Sequence, residues 1–117
     1  MNIKKVTRPQ VTLTADANST VVLSVTIGNG QIGGNVVSLN GTQLAKGTIS
    51  NLSLGTGASL SGKTLTVVTN VLDVNPATNK IAITHFFYNA EPAVQTQNDT
   101  VDDDGDVYSL TATYLFS

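Results

Sequence analysis

Cysteine and tryptophan are absent, and histidine and methionine occur once each. Without cysteine there is no disulfide framework, no thiolate metal site and no cysteine nucleophile. No second histidine or cysteine is present to complete a zinc set with His85. Charged residues make up only 12% of the chain and aromatic residues 5%. The Ala/Glu/Lys/Leu/Arg-rich composition of a coiled coil is missing. No apolar run approaches the length of a membrane span, so membrane insertion is not expected. The net charge of −2 argues against nucleic acid as a partner.

What remains is small, polar and β-branched. The 117 residues include 17 Thr, 11 Asn, 10 Gly and 9 Ser, beside 14 Val, 11 Leu and 6 Ile. That is enough aliphatic material for the core of one domain spanning 1–117, which makes wholesale disorder unexpected. Met1-Asn2-Ile3-Lys4-Lys5 looks like the basic start of a signal peptide. The following Val6-Thr7-Arg8-Pro9-Gln10 supplies no apolar segment, so no signal peptide is expected. A cytoplasmic, particle-associated or non-classically exported protein fits that start.

Alternation with period two recurs along the chain, and helical periodicity is nearly missing. Val21, Leu23, Val25 and Ile27 share one face of a strand, with Thr20, Ser24 and Thr26 on the other. Tyr108, Leu110, Ala112, Tyr114 and Phe116 alternate in the same way with Ser109, Thr111 and Thr113. One apolar face and one Thr-rich face indicate antiparallel sheets with a wet side. Asn29-Gly30 and Gly33-Gly34 bracket a loop, Asn40-Gly41 marks a tight hairpin, and Asn75-Pro76-Ala77-Thr78-Asn79 a turn between 64–74 and 80–88. The predicted fold is all-β: an antiparallel β-sandwich or jelly roll of seven to eight strands. The Gly/Leu/Ser texture of 47–62 suggests a β-solenoid instead, but no fixed period extends beyond it.

Four features carry potential chemistry. Gly57 to Thr64 matches the Walker A expression letter for letter. Phosphate binding there needs a helix after the loop, whereas Leu65 to Val71 is β-branched. A Gly-rich turn is expected, and nucleotide is not.

Asp99, Asp102, Asp103, Asp104 and Asp106 hold five of the eight acids within one eight-residue stretch. Elsewhere six basic residues face three acids, a balance of +3. Read as a loop between 80–88 and 106–116, the stretch offers Asp99, Asp102, Asp104 and Asp106 as oxygen ligands for calcium. Asp73, Asn75 or Asp16 would add ligands from neighbouring loops. An EF-hand is excluded, because Thr111 stands where the bidentate Glu belongs and strands flank the loop. The plain alternative is a solvated loop whose charges discourage edge pairing. No cofactor other than calcium is suggested.

His85 falls on the apolar face with Ile81, Ile83 and Phe87, as a packed and hydrogen-bonded core histidine would. The nucleophile elbow G-x-S-x-G is missing, so an enzyme is not expected. Phe86, Phe87 and Tyr88 are consecutive, and a strand must turn at least one large ring away from the core. These three residues are the expected interaction surface. The function expected is a structural or protein-binding module that associates with itself. A carbohydrate-binding module, with Tyr88, Tyr108 or Tyr114 as stacking rings and calcium in the acidic loop, is the alternative.

Overall fold

The computed structural model describes residues 1–117 as eleven strands and one helical turn. The strands are β1 (Ile3–Thr7), β2 (Val11–Ala15), β3 (Thr20–Ile27), β4 (Ile32–Leu39), β5 (Thr42–Gly47) and β6 (Leu52–Thr56). After the turn α1 (Gly57–Leu60) come β7 (Thr64–Leu72), β8 (Lys80–Tyr88), β9 (Ala90–Glu91), β10 (Val94–Thr100) and β11 (Val107–Phe116). They form a sandwich of two sheets. The larger runs β5-β4-β7-β11-β2-β9 with β1 also on β11, and the smaller runs β10-β8-β3-β6. The sandwich is elongated, 45 × 21 × 21 Å.

The alternating faces behave as their sequence demands. Along β11 every second residue from Tyr108 to Phe116 is buried, and along β8 the buried set is Ile81, Ile83, His85 and Phe87. Two turns use the left-handed tolerance of Asn and Gly. Asn40 (φ 47°) and Gly41 (φ 83°) link β4 to β5, and Asn29 (φ 59°) and Gly30 (φ 71°) link β3 to β4. Gly33 and Gly34, expected to close that loop, instead pair with Val71 and Asn70 inside β4. The 47–62 stretch is no solenoid: it supplies the end of β5, then β6 and α1.

Eleven strands stand where seven or eight were expected, and four elements depart from what the sequence predicts. β10 lies where the linker between 80–88 and 106–116 was expected, paired antiparallel with β8. Its inward positions are Gln95, Gln97 and Asp99, so no apolar alternation betrays it. β1 and β2 run parallel to β11, in registers Ile3↔Val107 and Val11↔Tyr114, among ladders that are otherwise antiparallel. Arg8-Pro9-Gln10 interrupts that N-terminal edge, as a proline at a sheet edge does. Finally, the helical turn α1 sits inside the Gly57–Thr64 match rather than after it, and Lys63 leads straight into β7. Where a phosphate loop requires a helix on its C-terminal side, this chain has a strand.

Gly33 marks the closest approach in the large sheet. A Cβ there would run into the Asn70 carbonyl oxygen of β7 and lie 2.9 Å from Ile27 Cδ1. Gly33→Ala is therefore expected to lower stability by about 1–3 kcal/mol. The check is the urea midpoint at unchanged slope, and a wild-type midpoint would mean that the strands can part there freely.

Candidate functional site

The acidic residues do not gather as a single ligand set. Asp99 belongs to β10 and faces the seam between β10 and β1. Its Oδ1 accepts from Lys4 Nζ and from the Thr100 amide, and its Oδ2 from the Tyr108 hydroxyl, at 2.8–2.9 Å. The Lys4 hydrogen bond is the main reason its carboxyl is held below the ordinary range. Burial pushes the Tyr108 phenol up to about 12. Asp102 and Asp104 are exposed, whereas Asp106 is buried. Asp106 Oδ1 accepts from the Asn2 amide at 2.9 Å and Oδ2 from the Asp103 amide at 3.1 Å. These bonds, Asn2 first, hold its carboxyl below the usual range. No group of three acidic or histidine side chains converges anywhere in the chain. The expected set of Asp99, Asp102, Asp104 and Asp106 is thus separated by strand geometry: Asp99 lies within the edge strand β10, while Asp106 immediately precedes the central strand β11.

Of the neighbouring residues considered as extra ligands, Asp16 lies at the wrong end. It follows β2 beside the Phe116 end of β11, and its Oδ1 and Oδ2 accept from the Asn18 amide and the Ser19 hydroxyl. Asp73 lies at the right end. It follows β7, and its main chain clasps the acidic turn: its amide donates to the Asp106 carbonyl at 3.0 Å, and Gly105 donates to its own carbonyl at 2.8 Å. Gly105 (φ 84°) provides the left-handed residue that such a two-against-one bulge requires. Asp73 is 1% exposed, and neither carboxylate oxygen has a hydrogen-bond partner.

Beside it, Gln31 is saturated. It accepts from the Val74 and Asn75 amides and donates to the Thr78 and Lys80 carbonyls. Extending the β4–β7–β11 register by one residue places Gln31, Asp73 and Asp106 in one row across the inward face. All three are buried.

His85 anchors a second buried polar line. Asn35 Nδ2 donates to the Gly47 carbonyl, which leaves its Oδ1 to accept from Thr69 Oγ1 at 2.6 Å. Thr69 has then spent its only proton, so His85 Nε2–H donates to Thr69 Oγ1 at 3.0 Å. His85 Nδ1 in turn accepts from the Tyr114 hydroxyl at 2.7 Å. This closed chain suits a neutral imidazole. Burial, with the Arg8 charge second, lowers the His85 pKa to about 4. No carboxylate is hydrogen-bonded to the ring to raise its basicity.

The aromatic triplet divides as strand geometry dictates. Phe87 points into the core and is fully buried, so it belongs to no surface. Phe86 and Tyr88 stand on the outer face of the small sheet, edge to face with ring centroids 4.6 Å apart. Val94 lies opposite Phe86, and Val22 opposite Tyr88. Tyr88 and Val94 are about half exposed, at 51% and 50%. Tyr108 and Tyr114, expected as alternative stacking rings, are both buried and drop out.

No family model, curated protein or solved structure matches this chain. Function therefore has to be read from its own surfaces.

One such surface escapes the linear sequence altogether. Ile32, Leu72, Val107 and Ile3 come from four different strands yet occupy a single cross-strand row on the outer face of the large sheet. Ile32 is 57% exposed, and with Leu72, Val107 and Met1 it lines a shallow hollow of about 520 Å³. Period-two alternation puts each residue on the wet face. Only the register lines them up.

Proposed function

We propose that this chain is a non-enzymatic interaction module that works by associating with copies of itself through the outer faces of its sandwich. The observation that carries this reading is the pair of apolar patches on opposite faces. Phe86, Tyr88, Val94 and Val22 lie on the small sheet, and Ile32, Leu72, Val107 and Ile3 on the large one. Singly exposed apolar residues need no explanation, but contiguous groups on flat sheet faces are the usual marks of a partner. With one patch on each side, a copy can be held by both faces at once. Association through unlike patches then continues past a dimer unless it closes into a ring.

Light scattering on a size-exclusion column checks this. The wild type is expected to elute as an oligomer whose mass grows with concentration. Tyr88→Lys with Val94→Lys should shift it toward monomer, while stability changes little at such exposed positions. A wild type that stays monomeric at high concentration would sink the reading. Carbohydrate binding remains a second reading because Phe86 and Tyr88 present rings to solvent. It predicts a monomer whose tyrosine fluorescence responds to glycans and loses the response in Tyr88→Ala.

A further inference from the structure

The buried carboxylate of Asp73 has no part in association. Isolated charges are rarely left inside a protein without a partner, because their removal from water is costly. Asp73 is 1% exposed with both oxygens unpartnered. Its neighbours deepen the problem. On one side Gln31 has committed its amide protons to the Thr78 and Lys80 carbonyls and turns its oxygen to the main chain of Val74 and Asn75. On the other side stands Asp106, a second buried carboxylate on the same inward face. No salt bridge reaches Asp73; the one in the molecule joins Lys4 to Asp99. Two adjacent acids disfavour each other's charge unless a cation sits with them.

We propose that Asp73 holds a calcium ion beneath the acidic turn, with Asp106 as its carboxylate neighbour and the main chain of 101–106 and water completing an oxygen shell. Calcium is the hard cation that accepts such a mixed shell of carboxylate, carbonyl and water oxygens, and it tolerates irregular geometry. Magnesium demands a near-ideal octahedron and gives up its water reluctantly. Asp102, Asp103 and Asp104, exposed on the same turn, raise the local cation concentration. The ion would also tie the end of β7 to the start of β11, where the glycine bulge already joins them. This site differs from the ligand set suggested by the acidic run alone. Asp99 is already neutralised by the Lys4 cation and takes no part, whereas each Asp106 oxygen accepts one main-chain amide and keeps a lone pair for the ion.

The probe is calcium itself, read by thermal melting of the full chain. Calcium at about 100 times its dissociation constant should raise the wild-type midpoint by about 10 °C over the same protein in EDTA. Magnesium should raise it far less. Asp73→Asn should abolish the calcium shift, and in EDTA it should melt no lower than wild type, since an amide replaces an unpaired charge. Asp104→Asn, on the exposed rim, should keep most of the shift. Terbium offers an independent readout: it should occupy the site and emit on excitation of tyrosine, because Tyr108 follows Asp106 on the same inward face. The proposal is overturned if calcium and EDTA give equal wild-type midpoints, or if Asp73→Asn responds to calcium as strongly as wild type. The wild-type comparison decides the matter even if the variant does not fold.

Discussion

Tyr114→Ala is expected to cost about 3–5 kcal/mol and to lower the melting midpoint by about 15 °C or more. Against a typical total of about 5–15 kcal/mol, that is enough to unfold a marginal chain. The ring of Tyr114 lies 1% exposed between the sheets, edge to face with Phe87 at 4.7 Å between centroids. Both rings belong to the larger core cluster, with Leu13, Leu23, Leu65 and Phe116. Truncation leaves a cavity that the flanking strands cannot close, since each is fixed by ladders on both sides. It also removes the hydroxyl that satisfies His85 Nδ1. Tyr114→Phe separates the two effects. It keeps the ring and leaves one buried nitrogen unpaired, for about 1–3 kcal/mol. Denaturant unfolding of both variants is the measurement. Equal losses would show that the hydrogen bond, and not the packing, dominates at this position.

The second large effect is a dependence on pH. His85 stays neutral in the folded chain down to pH about 4, against an ordinary value of 6.5. Between these values the unfolded chain binds the extra proton, so stability falls as the pH is lowered and returns as it is raised. Above 6.5 the ring is neutral in both states and adds no slope. The full loss across the window is about 3 kcal/mol. Protonation is resisted for a structural reason. The ring is buried between the sheets, where a charge loses its hydration, and the Arg8 charge adds a smaller repulsion.

Asp99 and Asp106 act lower on the scale. Their carboxyls are held below the ordinary range, so their contribution is present above it and is lost only as the pH falls further. Stability measured from pH 7 to pH 4 should therefore decline in wild type, and the decline should be much shallower in His85→Gln. An identical slope in the two proteins would remove His85 as its source.

Much of the fold was legible because strand faces and tight turns are local matters. Successive side chains point to opposite faces, so the buried set of β11 and the division of Phe86, Phe87 and Tyr88 follow from position alone. Asn-Gly pairs mark turns because few other residues tolerate positive φ at both central positions. The edges were illegible for a matching reason. β10 turns Gln95, Gln97 and Asp99 toward a seam that the exposed Lys4 of β1 and the neighbouring Arg8 close from the other side, so neither strand shows apolar alternation. The acidic run showed where the charge is concentrated. It could not show that Asp99 is spent on a lysine.

By itself, then, the sequence determined an all-β chain, the inward and outward sides of its long strands, its Asn-Gly hairpin and a core histidine. Each rests on stereochemistry within a few residues. Tertiary structure alone decided the strand order, the parallel placement of the N-terminal edge against β11, the apolar row from Ile3 to Ile32 and the isolation of Asp73. Those features join residues as distant as Asn2 and Asp106, 104 positions apart. Their register is set by how two sheets bury their faces against each other, and no local preference encodes it.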